Sequence, residues 1–336
     1  MPRLPIPRMS LLSTIKHLVL FTVASLALIN IYHTVRSQRR LLQRQHFSEV
    51  EEANFAVEQR FSKGKVFADE RLRPSKYLIV PSAAGCRKLN MTVIVVTRVD
   101  DFAARDRWRV EYKWRSPREM HGFKLSCWLV TVFPVGTNDN STVLLRLKQE
   151  AMKHADILQG DYEDTYRNLT LKHLSVLRYA SAVCSPLKAV VKMDVDVNWN
   201  LVATASYIKS FSRNKCLVSC FRVIGKPYRE DAPLWFVTWE EYPYDSYPSF
   251  CLGMAYIATE CAIVKMLDAA TQVKFFWIDD VFTTGILRER SNTSLVDNSL
   301  YYLPYDYMTD SRRYYWEDVL FHLDSVPVDL SWNRII

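Results

Sequence analysis

Residues 189–198 read Ala189-Val190-Val191-Lys192-Met193-Asp194-Val195-Asp196-Val197-Asn198. The β-branched run predicts a buried strand, and two aspartates stand where that strand should end. Side chains two residues apart in an extended chain point to the same side, so Asp194 and Asp196 would converge on one cation. Carboxylates are ligands that Mg²⁺ and Mn²⁺ accept, and such ions often bind substrate phosphates as well. The stretch therefore indicates an Asp-x-Asp site for a metal ion and a diphosphate.

Three other interpretations fit parts of this stretch. Two aspartates after a strand are also typical of a solvated turn. A calcium loop is excluded, because Trp199 stands at the position of the required glycine and Ala205 at that of the bidentate glutamate. A phosphatase with an aspartyl nucleophile also carries Asp-x-Asp after a strand, and the stretch alone leaves that alternative open.

The bulk composition indicates one sizeable globular domain. With 336 residues, 49% of them hydrophobic, the chain can bury a core of about 250 residues beside accessory segments. The net charge of +8 arises at the N-terminus: seven of the 44 basic residues precede the first acidic residue, Glu49, and the other 37 nearly balance the 36 acidic residues. The body of the chain therefore gives no charge-based reason to expect a nucleic-acid partner.

An apolar run between the basic clusters, from His17 to Tyr32, predicts a membrane anchor. Adjacent leucine and isoleucine residues lengthen this run, and Lys16 can extend its ammonium group to the lipid headgroups. A cleaved signal peptide is the alternative, but no Ala-x-Ala site followed by a polar start is evident. We therefore expect a cytosolic tail over 1–10, a transmembrane signal-anchor over 11–35, a charged helical stem over 36–85 and a luminal domain over 86–336.

Sequons and cysteines favour a luminal body, as in a single-pass type II membrane protein. All seven cysteines follow the predicted anchor, and so do four Asn-x-Ser/Thr sequons, at Asn90, Asn140, Asn168 and Asn292. Such sequons accept N-glycans in secreted chains, and disulfides persist in an oxidising compartment. Because seven is odd, one thiol stays free or pairs between chains, and the spacing does not give the connectivity.

Strands and helices alternate along the body. A leucine repeat before Cys184 predicts a helix with a buried face. Besides the strand that begins at Ala189, strands are predicted over 91–97 and 128–133, and a helix over 105–114. This alternation indicates an α/β fold with a largely parallel sheet.

Further segments follow in a fixed order. They are Asp156-Ile157-Leu158, Asp161-Tyr162-Glu163-Asp164-Thr165-Tyr166, Asn168-Leu169-Thr170-Leu171-Lys172, Cys184, Lys192-Met193-Asp194-Val195-Asp196-Val197, Gly225-Lys226-Pro227 with Arg229 and Trp235, Tyr247-Pro248-Ser249-Phe250-Cys251-Leu252-Gly253, Asp279-Asp280-Val281-Phe282-Thr283-Thr284-Gly285, and Phe321-His322 with Pro327. Together, from about residue 91 to 333, they resemble the β-1,3-galactosyltransferase and β-1,3-N-acetylglucosaminyltransferase family of Golgi hexosyltransferases. This resemblance disfavours the phosphatase alternative.

The resemblance implies a GT-A fold with a mixed, mostly parallel central sheet flanked by helices, behind the N-terminal transmembrane helix. It implies transfer of galactose or N-acetylglucosamine from a UDP-sugar, with inversion, to form a β-1,3 linkage. The acceptor would be a glycan on a glycoprotein or glycolipid, and the enzyme a Golgi membrane protein with a luminal catalytic domain. The cofactor would be Mn²⁺, held by Asp194, Asp196 and His322, with Arg107 and Lys192 also contacting the donor.

An inverting displacement needs a base that deprotonates the acceptor hydroxyl opposite the leaving UDP. Asp280 matches the family's aspartate for this task; it also suits the N-cap of the following helix, and both roles can hold. Trp235, Tyr247 and Gly253 match the family's acceptor side. The aromatic residues of this region fit a sugar-stacking wall and a hydrophobic core equally well.

Four positions depart from the family pattern. Val195 replaces the middle acid of three, Glu111 replaces an arginine, and Asp279 is one methylene shorter than the usual glutamate. Met254-Ala255 replaces a glycine pair, so the backbone can approach a sugar less closely. These changes indicate a divergent branch with altered donor or acceptor choice.

The departures leave two further hypotheses open. One is a luminal UDP-sugar or glycan-binding pseudoenzyme of the same fold, and the other is a structural, membrane-tethered partner that acts through its stem. The presence of Asp194, Asp196, Asp280 and His322 together favours the enzyme. Donor sugar, acceptor glycan and oligomeric state are not given by the sequence.

Overall fold

The computed structural model describes residues 11–82, 89–113, 128–212, 215–230, 234–303 and 319–323. The chain divides into two compact units, Met1–Ser48 and Glu49–Ile336. Helix α1 (Leu11–Phe61) supplies the described part of the first unit and the first residues of the second.

The predicted transmembrane helix over 11–35 is not confirmed. A helix does form there, but no helix in the described part of the chain is long and apolar enough to cross a membrane. The physical reason lies in the apolar run from Leu18 to Ile29, which covers roughly 18 Å of helix axis, against a hydrocarbon core of about 30 Å. His17 and Asn30 end this run on either side.

A mixed sheet forms the centre of the second unit. In chain order, strands β1 to β11 are Tyr77–Ile79, Leu89–Val96, Trp128–Thr137, Ile157–Glu163, Ala189–Asp194, Val197–Trp199, Leu217–Val223, Phe250–Ala258, Ser294–Asp297, Tyr302–Leu303 and Phe321–Leu323. Within the described part of the chain, eight of these strands form one sheet in the order β1-β4-β3-β2-β5-β8-β7-β9. The other three form a second, smaller sheet in the order β10-β11-β6. Pairing is parallel from β4 through β3 and β2 to β5, and again between β7 and β9; the other pairs in the large sheet are antiparallel.

Strand β5 lies in the middle of the large sheet, where it pairs parallel with β2 and antiparallel with β8. Its residues from Ala189 to Met193 are all buried, as expected for a strand covered on both faces. Only Asp194, at the carboxyl end, is partly exposed. The strand thus delivers its aspartate to the edge of the sheet where α/β proteins bind ligands.

Helices flank this sheet. They are α2 (Phe102–Trp108), α3 (Ser141–His154), α4 (Leu169–Val183), α5 (Leu201–Lys209) and α6 (Glu260–Ala269), with π-helical segments at Arg109–Lys113 and Val281–Leu287; the latter continues into Arg288–Arg290. Helix α4 is buried along most of its length and packs against β3, β4 and α6. The α/β class and the mixed sheet with flanking helices are therefore confirmed.

Part of the predicted stem belongs to the core of the second unit. Ala53, Val57 and Phe61 recur every four residues on α1 and are buried in the core, so this end of the helix presents one apolar face to the body. Phe67 and Leu72 join the same core. The assignment of the chain to tail, anchor, stem and catalytic domain stays a prediction.

The predicted elements of the body form with shifted ends. Helix α2 begins at Phe102, three residues before the predicted start, because the Asp101 side chain caps it by accepting from the N–H of Ala104. The predicted strand over 128–133 extends through Thr137 as β3. Trp114, the predicted end of the helix, lies outside the described residues.

Candidate active site

A cavity of about 1380 Å³ opens at the carboxyl ends of β2 and β5. Val96 and Asp194, the last residues of these neighbouring parallel strands, both line it. Its wall also contains the turn after β5, the start of β8 and the start of the π-helical segment at Val281. Polar residues from separate parts of the chain meet here, which makes this cavity the candidate site.

The Asp-x-Asp pair lies on the cavity wall. Asp194 and Asp196 both line the cavity, as does Val195 between them. Strand β5 ends at Asp194 and Asp196 lies in the following turn, so their convergence on one cation stays a prediction. Lys192 is a buried residue of β5. Its Nζ donates to Asp194 Oδ1 at 2.8 Å and to the carbonyl oxygen of Gly253 at 2.5 Å.

Lys192 and Asp194 each offset part of the effect that burial has on the other's pKa. Burial raises the pKa of Asp194 to about 6, although the Lys192 ammonium group acts in the opposite direction. Burial also tends to lower the pKa of Lys192, but the carboxylates of Asp194 and Asp279 outweigh it and hold that pKa above its ordinary value. Lys192 is therefore cationic at neutral pH, and its charge is compensated inside the site.

The described residues contain no group of three or more His, Cys, Asp or Glu side chains that could hold a metal ion. Strand β11 brings His322 opposite Asn198 on β6, but its neighbour Leu323, rather than His322, lines the cavity. A hard cation that also binds substrate phosphates needs only one or two protein carboxylates. Asp194 and Asp196 fit such an ion, while the ligand role of His322 stays a prediction.

Asp280 lines the same cavity beside Gly253, whose carbonyl shares the Lys192 ammonium group with Asp194. Its Oδ1 accepts from the N–H of Val281 at 2.7 Å, which makes it the N-cap of the π-helical segment. Its Oδ2 lies 3.2 Å from the position that a Cβ on Gly253 would take. Burial, reinforced by the neighbouring Asp279 carboxylate, raises the pKa of Asp280 to about 7. A carboxyl group that titrates near neutral pH is suited to accept a proton.

Asp279, the adjacent acid, has different partners. Its Oδ2 lies 3.0 Å from His173 Nδ1, and His173 Nε2 lies 2.6 Å from the hydroxyl of Tyr256. Burial tends to raise the pKa of Asp279, but the hydrogen bond from His173 and the charge of Lys192 hold it below its ordinary value. Neither His173 nor Tyr256 was predicted from the sequence. A histidine within the apolar helix α4 is a signal that could have indicated His173.

The predicted donor-side residues also reach the cavity. Arg107 and Glu111 are exposed and line it, as does Val195. Three of the four departures from the family pattern, at Glu111, Val195 and Asp279, therefore line the same cavity as the Asp-x-Asp pair. The fourth, Met254-Ala255, is buried.

An ion-pair network that the sequence did not predict holds the donor-side helix. Arg105 is fully buried and donates to both carboxylate oxygens of Glu150 at 2.8 Å. Arg109 bonds both oxygens of Asp156, at 2.9 and 3.0 Å. This bidentate pairing ties α2 and the π-helical turn after it to α3 and to the residue before β4, and so fixes the backbone that carries Arg107.

The predicted acceptor-side residues divide into a rim and a buried layer. Trp235 lines the cavity, is 46% exposed and donates from Nε1 to the Tyr166 hydroxyl at 2.8 Å. Tyr247 lines the cavity too but is 8% exposed, and its hydroxyl has no hydrogen-bond partner among the described residues. Of the other aromatics in this region, Trp239 is exposed whereas Tyr242 is buried. The region therefore supplies both a surface and a core.

The sequons differ in accessibility. Asn140 and Asn292 are exposed. Asn168 is partly buried and donates to the carbonyl oxygen of Glu163, and the hydroxyl of its sequon residue Thr170 is buried in a bond to the Phe276 carbonyl. The side chain of Asn90 lies outside the described part of the chain.

Disulfides link β7 to its surroundings. Cys216 pairs with Cys261, and Cys220 with Cys251, which stands at the start of β8 near Gly253. Cys184 is also disulfide-bonded.

Residues 104–299, more than half of the chain, match the family model described as Galactosyltransferase. The chain belongs to the galactosyltransferase family. This confirms the family resemblance predicted from the ordered motifs. The matched range of this galactosyltransferase-family protein contains Lys192, Asp194, Asp196 and Asp280, and it ends before His322.

Curated relatives give the same assignment. The protein is 27% identical over 224 residues to beta-1,3-galactosyltransferase 5 from Homo sapiens, which covers 66% of this chain and 70% of that one. It is 26% identical over 196 residues to UDP-GalNAc:beta-1,3-N-acetylgalactosaminyltransferase 1 from Mus musculus, with 57% of each chain covered.

Solved structures match more distantly. The galactosyltransferase LgtC in complex with donor and acceptor sugar analogues is 10% identical, with a TM-score of 0.37 over 70% of this chain and 88% of that one. Mouse xyloside xylosyltransferase 1 in its apo form is also 10% identical, with a TM-score of 0.34 over 70% of this chain and 97% of that one.

Proposed function

We propose that this galactosyltransferase-family protein is an inverting, metal-dependent glycosyltransferase of the GT-A type. It transfers a hexose from a UDP-sugar to a glycan hydroxyl and forms a β-1,3 linkage. The observation that carries the proposal is one cavity lined both by an Asp-x-Asp pair and by a further carboxyl group with a pKa near neutrality.

Asp280 is the general base of the proposed reaction. The acceptor hydroxyl oxygen bonds to the anomeric carbon, the bond from that carbon to the UDP oxygen breaks, and the hydroxyl proton passes to Asp280. The N–H of Val281 holds one carboxylate oxygen at 2.7 Å, which leaves Oδ2, beside Gly253, for the proton. Because Gly253 has no side chain, the acceptor can approach this oxygen.

Asp194 and Asp196 would hold Mn²⁺ or a similar divalent cation, with donor phosphate oxygens as further ligands. When bound, the ion supplies positive charge that offsets the charge developing on the UDP leaving group. Lys192 orients the Asp194 carboxylate through the 2.8 Å hydrogen bond. Arg107, exposed on the cavity wall, supplies a further cation for the diphosphate.

The acceptor enters past Trp235. The exposed indole ring of Trp235 offers an apolar face to a sugar ring, and its N–H is already held by Tyr166, so its orientation is fixed. The proposed setting is the oxidising lumen of the secretory pathway, at the Golgi, where the disulfides Cys216–Cys261 and Cys220–Cys251 would persist.

A UDP-sugar-binding protein without turnover is the second candidate. The departures at Glu111 and Val195 favour it, because both line the cavity and change its charge where the donor would bind. Both candidates would bind UDP, so binding alone does not separate them.

The test uses the purified full-length protein with a panel of UDP-sugars and simple β-glycoside acceptors, with Mn²⁺ or with EDTA. Transfer from one donor that EDTA abolishes would support the enzyme and identify its sugar. UDP binding without transfer or donor hydrolysis would favour the binding protein. No UDP binding would refute both candidates.

A further inference from the structure

Asp279 and Asp280, two adjacent carboxylates on the cavity wall, have different hydrogen-bond partners. Asp280 has one oxygen on a backbone N–H and the other beside Gly253. Asp279 instead lies 3.0 Å from Nδ1 of His173. His173 belongs to helix α4 and is only 2% exposed. Residues that are neighbours in sequence are therefore held by different parts of the fold.

Asp279, His173 and Tyr256 form a series of hydrogen bonds. The ionised Asp279 determines where the protons of this series lie. An ionised Asp279 can only accept hydrogen bonds, so His173 Nδ1 must carry the proton and donate it. His173 Nε2 then accepts from the hydroxyl of Tyr256, 2.6 Å away. Burial lowers the pKa of His173 despite the nearby Asp279 carboxylate, so the ring is neutral and this tautomer is fixed from both sides.

Several other groups surround Asp279 and act on its charge. They are Lys192 and Asp194 on β5, Tyr256 on β8, Tyr166 before α4, Asp280 beside it, and Thr283, whose hydroxyl lies 3.4 Å from His173 Nδ1. Lys192 is the cation of this group. The imidazole N–H and this ammonium charge together favour the ionised form of Asp279.

We propose that His173 is a positioning residue: with Tyr256, it holds Asp279 as an ionised carboxylate with one oxygen on the buried imidazole, so that Asp280 alone receives the proton of the acceptor. The inference rests on the proposed function. A fixed negative charge beside Asp280 disfavours a second negative charge there, which makes Asp280 a stronger base. Without the hydrogen bond from His173, Asp279 would compete for the same proton.

Three substitutions separate this role from simple packing. His173→Asn keeps an N–H donor, because the amide nitrogen of asparagine lies as many bonds from Cα as Nδ1 does. His173→Leu keeps the volume but removes the donor. Asp279→Asn removes the fixed charge itself. The measurements are kcat, KM for the UDP-sugar and the pH dependence of transfer, all on the full-length protein.

The expected results are specific to each variant. His173→Leu should lower kcat about tenfold or more with little change in KM, whereas His173→Asn should recover most of that loss. Asp279→Asn should move the acid limb of the pH profile down by about one pH unit. Nitrogen NMR of the wild-type protein should show His173 protonated at Nδ1 only, from neutral pH to well below it.

Other results would overturn the inference. They are equal kcat values for the asparagine and leucine variants, an unmoved acid limb in Asp279→Asn, or a His173 ring protonated at Nε2 or at both nitrogens at neutral pH. UDP binding and the unfolding temperature are measured for each variant; if His173→Leu does not fold, Asp279→Asn and the NMR result still decide. No transfer by the wild-type protein would refute the proposed function and the inference with it, whereas transfer with an unmoved limb refutes only the inference.

Discussion

Lowering the pH from about 8 to about 6 should reduce the transfer rate about tenfold. The proposed base must be unprotonated to accept the acceptor proton, and burial together with the Asp279 carboxylate raises the pKa of Asp280 to about 7. A group with that pKa is roughly nine-tenths ionised one unit above it and one-tenth ionised one unit below it. Activity is therefore present above the raised pKa and lost as the pH falls through it. An aspartate with an ordinary pKa would remain ionised over the whole range.

The assay is the initial rate of sugar transfer at low acceptor concentration, where the profile reports the free enzyme. Mn²⁺ is kept saturating, because the pKa of Asp194 is about 6 and its protonation would otherwise steepen the fall. Asp280→Asn is the matched variant: its amide oxygen still accepts from the N–H of Val281, so the N-cap is retained. It should lose transfer by about a hundredfold or more and still bind UDP.

Two results would refute this reasoning. A rate that stays constant down to about pH 5 would mean that no group with a raised pKa acts as the base. A tenfold fall that persists unchanged in the residual activity of Asp280→Asn would assign the titration to another residue.

Three further predictions each concern one substitution. Gly253→Ala should lower transfer about tenfold while UDP binding persists, because its Cβ would lie 3.2 Å from the base; equal transfer rates would contradict this. Lys172→Met should destabilise the fold by about 3 kcal/mol, measured by denaturant unfolding, because it leaves the buried Asp164 carboxylate without the ammonium group 2.6 Å away; an unchanged midpoint would contradict it. Ser294→Ala should remove one N-glycan, seen as a mobility shift, from the exposed Asn292, whose φ of 51° makes replacement of the asparagine itself a poorer test; unchanged mobility would show that the sequon is unused.

Local patterns predicted the part of the site that one stretch of chain builds. Strand β5 and the Asp194–Asp196 pair could be predicted because β-branched residues and a two-residue period act over a few residues. The N-cap role of Asp280 is local in the same way, since its contact is to the next residue, Val281, whereas its role as base came from the family resemblance. The family motifs gave the order of the segments but not their contacts.

Contacts between distant segments could not be predicted in this way. His173 and Asp279 are 106 residues apart in sequence, and neither residue has a local pattern that names its partner. The ion pairs of Arg105 with Glu150 and of Arg109 with Asp156 are likewise long-range. The packing of Phe61 into the body was missed because the charged residues around it suggested a solvated stem.

The choice between an enzyme and a binding protein depends on Asp280 more than on the Asp-x-Asp pair. Asp194 and Asp196 would serve either role, since holding a cation and a diphosphate requires no proton transfer. A binding protein has no use for a carboxyl group on the cavity wall whose pKa is raised to about 7, because like charges and burial there oppose its ionised form without improving contact with UDP. Gly253 leaves room beside Asp280 Oδ2. The Asp279 carboxylate raises the pKa of Asp280 and so keeps this oxygen basic. That concentration of features on a single proton acceptor is what favours turnover.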